Sequence, residues 1–324
     1  MPKSIVLRAP GGPEVLKWED VEVRDPGPGE VQIAQRAIGL NYLDCYYRSG
    51  LYPLPNKPSG LGVEGAGVIA AVGKGVKGLK KGDRVAYALG PLGAYAEVRN
   101  LAAQLVVKIP KDVSFDVAAA VMLKGMTAQY LVRRTYKVKK GDTILFHAAA
   151  GGVGLIACQW AKSLGAKVIG TVGSEVKAKI AKAHGCAVAI NYSTEDFVAK
   201  VKEFTKGKGV PVVYDSVGKD TFLKSLDCLA PLGMLVLFGQ SSGAVPPFNV
   251  GTLARGSYFL TRPGLGHYAG TREDLDATAK DLFKALKSGA VKIEINQRIP
   301  LKDAGKAHAA LEARQTTGST LLIP

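Results

Sequence analysis

The chain has 324 residues, of which 47% are hydrophobic and 22% are charged, and this composition excludes a disordered or fibrous protein. The lysines and arginines behind the formal net charge of +16 are spread along the chain, which favours a solvated basic surface over a nucleic-acid site. The sequence has neither a basic leader followed by an apolar segment nor an apolar run of about 18 residues. We therefore expect a cytoplasmic protein that contacts no membrane.

Residues 1–110 are predicted to form short strands separated by glycine and proline turns. Typical segments are SIVLRAPGGPEVLKWEDVEV, EVQIAQRAIGLN and EGAGVIAAVGKGVKGLKKGDRVAYAL. Runs of β-branched residues between frequent turn signals indicate a mostly β domain.

From about residue 125 the pattern changes to apolar, strand-like runs that alternate with helical stretches. Continuous apolar strands joined by helices are typical of a parallel, doubly wound sheet covered on both faces. The predicted strands are 142–148, 166–172, 187–192, 211–217 and 234–239, and the helices include 152–164, 174–184 and 219–229. The last of these strands, MLVLFG, is a candidate for the sheet edge.

After residue 265 the sequence TREDLDATAKDLFKALKSG predicts a helix. Thr271 and Asp274 form a capping-box pair, Leu275 and Leu282 fall on one helical face, and Gly289 occupies the position of a C-terminal glycine. The closing segment STLLIP resembles one more strand, which we assign to the first domain.

The turn after DTILFH has the spacing of a dinucleotide-binding glycine motif, with alanine in place of the first glycine. Such a turn brings the backbone close to a pyrophosphate and places it at a helix N-terminus. The predicted contacts are Ala149, Gly151, Gly152, Val153 and Gly154.

The second strand of this fold ends in GTVGS and lacks the acidic residue that usually binds the ribose 2′-hydroxyl of NAD. A 2′-phosphate fits here, since Gly173 N and Ser174 can donate hydrogen bonds and Lys177 supplies a positive charge. Glu175 argues mildly against a phosphate, although a glutamate in a first helical turn also suits the helix dipole. The predicted cofactor is NADPH.

Together with VVYDSVG, LFGQSSG, GLNYLDCYYRSGLYP and GVEGAGVIAAVG, this turn makes the chain resemble the quinone oxidoreductases, the zeta-crystallin-like, zinc-independent branch of the medium-chain dehydrogenases/reductases. The resemblance implies an α/β protein with a GroES-like, mostly β catalytic domain and a doubly wound Rossmann domain that binds NADP(H). It assigns residues 1–124 and 265–324 to the first and 125–264 to the second. It also implies NADPH in the cleft between the domains and a homodimer.

The zinc-dependent alcohol dehydrogenases of the same superfamily differ from this chain at their metal ligands. Asn41 stands where they carry a cysteine, Val63 stands where they carry a histidine, and VMLKGMT contains neither residue type. The four cysteines also form no C-x-x-C pair; they are Cys45, Cys158, Cys186 and Cys228. We therefore expect no metal and no disulfide.

The implied reaction is hydride transfer from NADPH to a quinone, without metal or flavin. Asn41, Tyr46 and Tyr52 are the candidate catalytic residues. Asn41 can hold the nicotinamide ribose or the substrate carbonyl, or simply stabilise a turn, and either tyrosine can donate from its phenol or serve in packing. Asp44 is expected to orient the loop. The four histidines are expected on the surface or in packing roles.

The resemblance also suggests cofactor contacts outside the glycine turn. Besides Asn41, they are Tyr130, Tyr192, Ser216, Val217, Phe238, Gly239, Ser241 and Arg314.

Two other functions remain open at this point. One is NADPH-dependent reduction of the C=C bond of an enone or enoyl thioester, which shares the hydride step. The other is a structural or RNA-binding role of the zeta-crystallin type, with AU-rich RNA as the partner, although no aromatic RNA-binding motif is present.

Overall fold

The computed structural model describes residues 1–324, which form two structural units. The first contains Met1–Leu123, Ala269–Ala279 and Ile293–Pro324, and the second contains Lys124–Tyr268 and Lys280–Lys292.

The sequence-based division places Lys124 and residues 265–268 and 280–292 in the first domain, whereas the structure groups them with the second unit. The largest of these differences is at residues 280–292. Packing explains this placement. Leu282 lies directly against Gly125, and Gln129 Nε2 donates a hydrogen bond to Asp281 Oδ2 (3.0 Å).

The strands, in chain order, are β1 (Lys3–Val6), β2 (Lys17–Asp20), β3 (Glu30–Gly39), β4 (Gly65–Val72), β5 (Arg84–Tyr87), β6 (Val98–Ala102), β7 (Val107–Lys108), β8 (Thr143–Phe146), β9 (Lys167–Val172), β10 (Cys186–Asn191), β11 (Val210–Asp215), β12 (Leu229–Leu237), β13 (Phe259–Thr261), β14 (Ile295–Pro300) and β15 (Ser319–Ile323). The α-helices are α1 (Tyr42–Ser49), α2 (Phe115–Tyr130), α3 (Gly152–Ser163), α4 (Glu175–Ala183), α5 (Phe197–Phe204), α6 (Phe222–Leu226), α7 (Leu265–Tyr268), α8 (Arg272–Lys287) and α9 (Ala304–Glu312). None of these helices combines the length and the apolar character needed to span a membrane.

The first unit is mostly β, as predicted. Strands β1 and β2 form an antiparallel pair, and the larger sheet has the order β14-β15-β3-β4-β5-β7, with β6 also paired to β3. Alternate residues of β3 point into the core, where Ile33 packs with residues such as Ile69, Tyr87 and Tyr95. The closing strand β15 pairs antiparallel with β3, so the chain end completes this sheet.

The second unit is a six-stranded sheet in the order β10-β9-β8-β11-β12-β13, in which all neighbours are parallel. This confirms the doubly wound arrangement. The prediction that MLVLFG forms the sheet edge was wrong. Its first four residues belong to β12, which lies between β11 and β13. Strand β13 escaped prediction because it has only three residues and no distinctive pattern.

The capping signals of one predicted helix are confirmed by the structure, and a second predicted helix is shorter than expected. Helix α8 begins as predicted, because Thr271 Oγ1 accepts a hydrogen bond from Asp274 N (3.1 Å), and Gly289 follows with φ of 73°. The predicted helix 219–229 is reduced to α6, Phe222–Leu226. The chain before it is a turn, in which Thr221 N donates to Gly218 O (3.0 Å).

Candidate functional site

The carboxyl ends of the parallel strands in the second unit lie at one edge of its sheet. The strand order reverses beside β8, since β9 and β10 lie on one side and β11, β12 and β13 on the other. Backbone hydrogen bonds join the loops that leave these strands, for example Ala149 N to Thr171 O (3.0 Å) and Phe238 N to Asp215 O (2.8 Å). In doubly wound sheets, this reversal point is where ligands bind.

Most of the predicted cofactor residues lie at or just beyond these strand ends. They are Ala149, Gly151, Gly152, Val153, Gly154, Gly173, Ser174, Lys177, Tyr192, Ser216, Val217, Phe238, Gly239 and Ser241. The fold thus gathers them from five loops, while their contacts with a cofactor remain predictions.

The turn between β8 and α3 leaves backbone donors available. Helix α3 has Gly151 as its N-cap and no side-chain cap, and its first internal hydrogen bond runs from Leu155 N to Gly151 O (2.9 Å). The N–H groups of residues 152–154 are therefore not used within the helix. A Cβ at Gly154 would lie 2.4 Å from Ala148 O, so the glycine allows helix and turn to approach closely. An uncapped N-terminus of this kind suits a pyrophosphate.

The end of β9 offers hydrogen-bond donors and a positive charge. Ser174 is the N-cap of α4, and its Oγ accepts from Lys177 N (3.3 Å), so its hydroxyl hydrogen can still be donated to a ligand. Glu175 does not oppose an anion as directly as the sequence suggests, because its Oε1 accepts from Asn191 Nδ2 (2.8 Å). A Cβ at Gly173 would lie 2.9 Å from Tyr192 Oη, which places that phenol beside the turn.

The loops after β11 and β12 hold each other in place. Ser241 N donates to Ser216 O (3.0 Å), and a Cβ at Gly239 would lie 2.9 Å from the same carbonyl oxygen. The two loops therefore approach at the reversal point with their backbones in contact.

A buried polar network beneath these loops was not predicted. The fully buried carboxylate of Asp215 accepts from Val217 N (2.8 Å), Thr221 Oγ1 (2.8 Å) and Ser225 Oγ (3.1 Å). Ser225 Oγ also contacts His147 Nε2 at 2.9 Å. Burial lowers the pKa of His147 despite the nearby Asp215 carboxylate. The sequence shows an aspartate, Asp215, at the end of a buried strand, which indicates a buried polar contact. It does not identify the partners, because they come from other elements.

Tyr130, the last residue of α2, is almost fully buried and stacks on Tyr268 with ring centroids 4.4 Å apart. Burial, together with the neighbouring phenol, raises the pKa of Tyr130. The structure shows this aromatic pairing; the predicted cofactor contact of Tyr130 remains a prediction.

In the first unit, Asn41 lies at the N-terminus of α1 in a buried hydrogen-bond network. Its backbone N donates to Asp44 Oδ2 (2.9 Å), and Tyr95 Oη donates to the same oxygen (2.9 Å). Its side-chain Nδ2 donates to Glu64 Oε2 (2.8 Å), and Glu64 Oε1 accepts from Leu123 N (2.6 Å). Asp44 thus orients this segment, as expected. Glu64 was missed, because a carboxylate just before a strand does not reveal its partner.

Tyr46 and Tyr52 are half-buried and lie in contact, with ring centroids 5.3 Å apart. Tyr52 N donates to Tyr46 O (3.0 Å), and Tyr47 packs edge-on against Tyr52 (5.7 Å). This position is compatible with both roles that the sequence left open, a phenolic donor and a packing aromatic. The rings pack together, and part of each remains accessible to solvent.

Arg314 follows α9 in the left-handed region, with φ of 58°, and it is exposed. Its element lies beside α1, because Tyr42 Oη donates to Leu311 O (3.1 Å) and Arg48 forms an ion pair with Glu312 (2.5 Å). Arg314 therefore belongs to the same unit as Asn41, Tyr46 and Tyr52.

The structure contains no group of three or more His, Cys, Asp or Glu side chains placed to hold a metal ion. All four cysteines are free and buried.

Two family models match the chain in regions that correspond to its two folds. Residues 27–111 match the alcohol dehydrogenase GroES-like domain, and residues 152–283 match the zinc-binding dehydrogenase family. With the mostly β first unit and the doubly wound second unit, these matches define an oxidoreductase of the medium-chain dehydrogenase/reductase class.

Full-length relatives narrow the class to one family. The chain is 57% identical to a quinone oxidoreductase of Pseudomonas aeruginosa and 48% identical to a 2-haloacrylate reductase of a Burkholderia species, covering 100% of this chain in both cases and 100% and 99% of the relatives. The crystal structure of Escherichia coli quinone oxidoreductase complexed with NADPH superposes with a TM-score of 0.98 at 52% identity, covering 99% of this chain and 100% of that one. The chain belongs to the quinone oxidoreductase family, which confirms the resemblance and the predicted fold class.

Proposed function

We propose that this protein is an NADPH-dependent quinone reductase. The observation that carries the proposal is the pairing of an uncapped α3 N-terminus with a β9 end that has Ser174 and Lys177 where NAD-binding proteins usually have a carboxylate. Full-length relatives named quinone oxidoreductase, one of them solved with NADPH, support both the acceptor and the cofactor.

The residues at the strand ends fit NADPH in shape and in charge. The free N–H groups of residues 152–154 can bind the pyrophosphate. Ser174 and Lys177, with Tyr192 beside Gly173, can bind a 2′-phosphate, which accepts hydrogen bonds and is attracted by a positive charge. Arg314, in the first unit, remains a predicted phosphate contact.

Bound NADPH supplies a hydride to the electron-poor ring of a quinone. The protein then orients the acceptor and stabilises the charge that develops on its oxygen. The half-buried Tyr46 and Tyr52 are suited to this task, because each carries a phenolic donor on an aromatic surface that can pack against a quinone ring.

We also propose a homodimer that forms through the edge strand β13. The outer edge of β13 has no neighbour in the six-stranded sheet. Phe259 on β13 is exposed by 55%. Leu232, whose N donates a hydrogen bond to Gly256 O shortly before β13, is exposed by 68%. An unpaired edge with apolar neighbours favours pairing with a second copy across a two-fold axis.

Calorimetric titration with NADPH and NADH, followed by nicotinamide absorbance after addition of 1,4-benzoquinone, tests the proposed function. We expect NADPH to bind more tightly than NADH and to be oxidised by the quinone. Lys177→Ala should weaken NADPH binding about tenfold, or about 1.4 kcal/mol, and leave NADH binding unchanged.

Lys179→Ala is the matched control, since Lys179 is an exposed lysine on the same helix. Equal affinities of the wild-type protein for the two cofactors would contradict the role of Ser174 and Lys177. Tight NADPH binding without quinone turnover, with a saturated product formed from an enone, would assign C=C reduction instead.

A further inference from the structure

The carboxylate of Glu64 is fixed from several directions. Glu64 is fully buried directly before β4, and its Oε1 accepts from Leu123 N (2.6 Å). Gly39 provides the space for it, because a Cβ at Gly39 would clash with Glu64 Oε2 and with Ala119 O. The second oxygen, Oε2, lies in this space and accepts a hydrogen bond from the side chain of Asn41 (2.8 Å).

This contact determines which way the Asn41 amide points. Its Nδ2 donates to Glu64 Oε2 (2.8 Å) and lies 3.3 Å from Gly39 O, so both neighbours are acceptors. The reversed amide would bring Oδ1 against two acceptor oxygens, which is repulsive. Both hydrogens of the amide are thus directed into the protein. The side-chain oxygen of Asn41 faces the backbone N of Asp44 in the capping box of α1, which supports the same orientation. Its remaining lone pair is what Asn41 can offer a ligand.

We propose that Glu64 is a positioning residue that makes Asn41 an acceptor for the bound cofactor. This inference rests on the proposed function. An acceptor binds a group that carries hydrogen, such as a ribose hydroxyl or the nicotinamide carboxamide. It does not stabilise negative charge on a quinone oxygen, which requires a donor. Of the two ligand contacts that the sequence left open for Asn41, the network favours the cofactor, and it leaves substrate activation to Tyr46 or Tyr52.

The isosteric variant Glu64→Gln tests the orientation. A glutamine here must direct its oxygen to Leu123 N, so its amide hydrogens face Asn41 and repel the Asn41 Nδ2 group. Reversal of the Asn41 amide removes this repulsion at 2.8 Å, and only the more distant Gly39 O (3.3 Å) opposes it. Asn41 then presents a donor to the cofactor. We expect the Kd for NADPH, measured by calorimetry, to rise about tenfold. The rate of hydride transfer in a single turnover with saturating NADPH and quinone should change less than about threefold.

A second substitution should restore binding. In the double variant Glu64→Gln/Asn41→Asp, the aspartate accepts from the glutamine amide and again presents an oxygen outward. We expect its Kd for NADPH to return to within about threefold of the wild-type value. If Glu64→Gln weakened NADPH binding only by disturbing the fold, a change at Asn41 would not restore the affinity.

The control is Tyr87→Phe, which removes another buried hydrogen bond of the same unit, from Tyr87 Oη to Gln35 Oε1 (2.6 Å). It should lower the thermal midpoint without changing the Kd for NADPH. An unchanged Kd for NADPH in Glu64→Gln would overturn the proposal. If hydride transfer were then about 100-fold slower or more, Asn41 would act in the substrate step and not in cofactor binding. A Kd for NADPH that stays high in the double variant would also overturn the proposal. Because the Kd needs no turnover, a failure of quinone reduction itself remains a separate result.

Discussion

At the scale of single residues, the buried His308 makes the stability of the fold depend on pH. Its ring nitrogens lie 3.0 Å from Tyr95 Oη and 3.4 Å from Cys45 Sγ. Burial, with a smaller contribution from the Arg48 charge, lowers the pKa of His308 to about 3. The unfolded chain, in which a histidine has a pKa of about 6.5, therefore binds the proton more readily than the folded protein.

The stabilisation from neutral His308 is complete above pH of about 6.5 and is lost as the pH falls towards 3. We expect this residue alone to reduce the free energy of unfolding by about 2 kcal/mol between pH 7 and pH 5. Urea unfolding at pH 7 and at pH 5 measures this change in the free energy of unfolding. The variant His308→Gln should be less stable at pH 7 but lose less stability on acidification; an identical loss in both proteins would contradict this assignment.

At the scale of elements, the β8–α3 turn depends on the close approach of helix and strand at Gly154. An added Cβ would lie 2.4 Å from Ala148 O and 2.8 Å from Ala149 Cα. Both are backbone atoms, so the turn itself must move. We expect Gly154→Ala to lower the free energy of unfolding by about 2 kcal/mol or more and to weaken NADPH binding at least about tenfold.

Gly266→Ala is the matched control, because nothing lies within 4 Å of a Cβ at that position and its φ is not in the left-handed region. Chemical denaturation and calorimetry should find it close to wild type. Wild-type NADPH affinity in Gly154→Ala would show that the turn tolerates the displacement and does not hold the pyrophosphate closely.

At the scale of the whole molecule, the proposed dimer places an apolar edge of the second unit against a second copy. Phe259→Glu puts a charge on β13, and desolvating it opposes pairing. We expect sedimentation to show a dimer for the wild-type chain and a monomer for the variant, with NADPH binding retained. Leu223→Glu, on a helix and with the same 55% exposure, should remain dimeric. A monomeric wild-type protein, or a dimeric Phe259→Glu, would contradict the proposal.

The sequence by itself determined the elements whose signals are local. The glycine turn followed by α3 and the Thr271 cap of α8 are encoded within a few residues, so spacing and turn chemistry suffice to predict them. The absence of a carboxylate at the end of β9 is also local, and it pointed to NADPH before any three-dimensional information. Combined motifs along the whole chain identified the family.

Only the tertiary structure decided the contacts between residues distant in the chain. Glu64 reaches Asn41 because β4 pairs with β3, and His308 meets Cys45 because α9 packs on α1. Strand β12 lies inside the sheet because β13 pairs with its outer edge, and β13 has only three residues, too few for a recognisable sequence pattern. The physical reason is common to these cases: spacing along the chain reports local conformation, whereas a buried polar group is defined by the partners that folding brings to it.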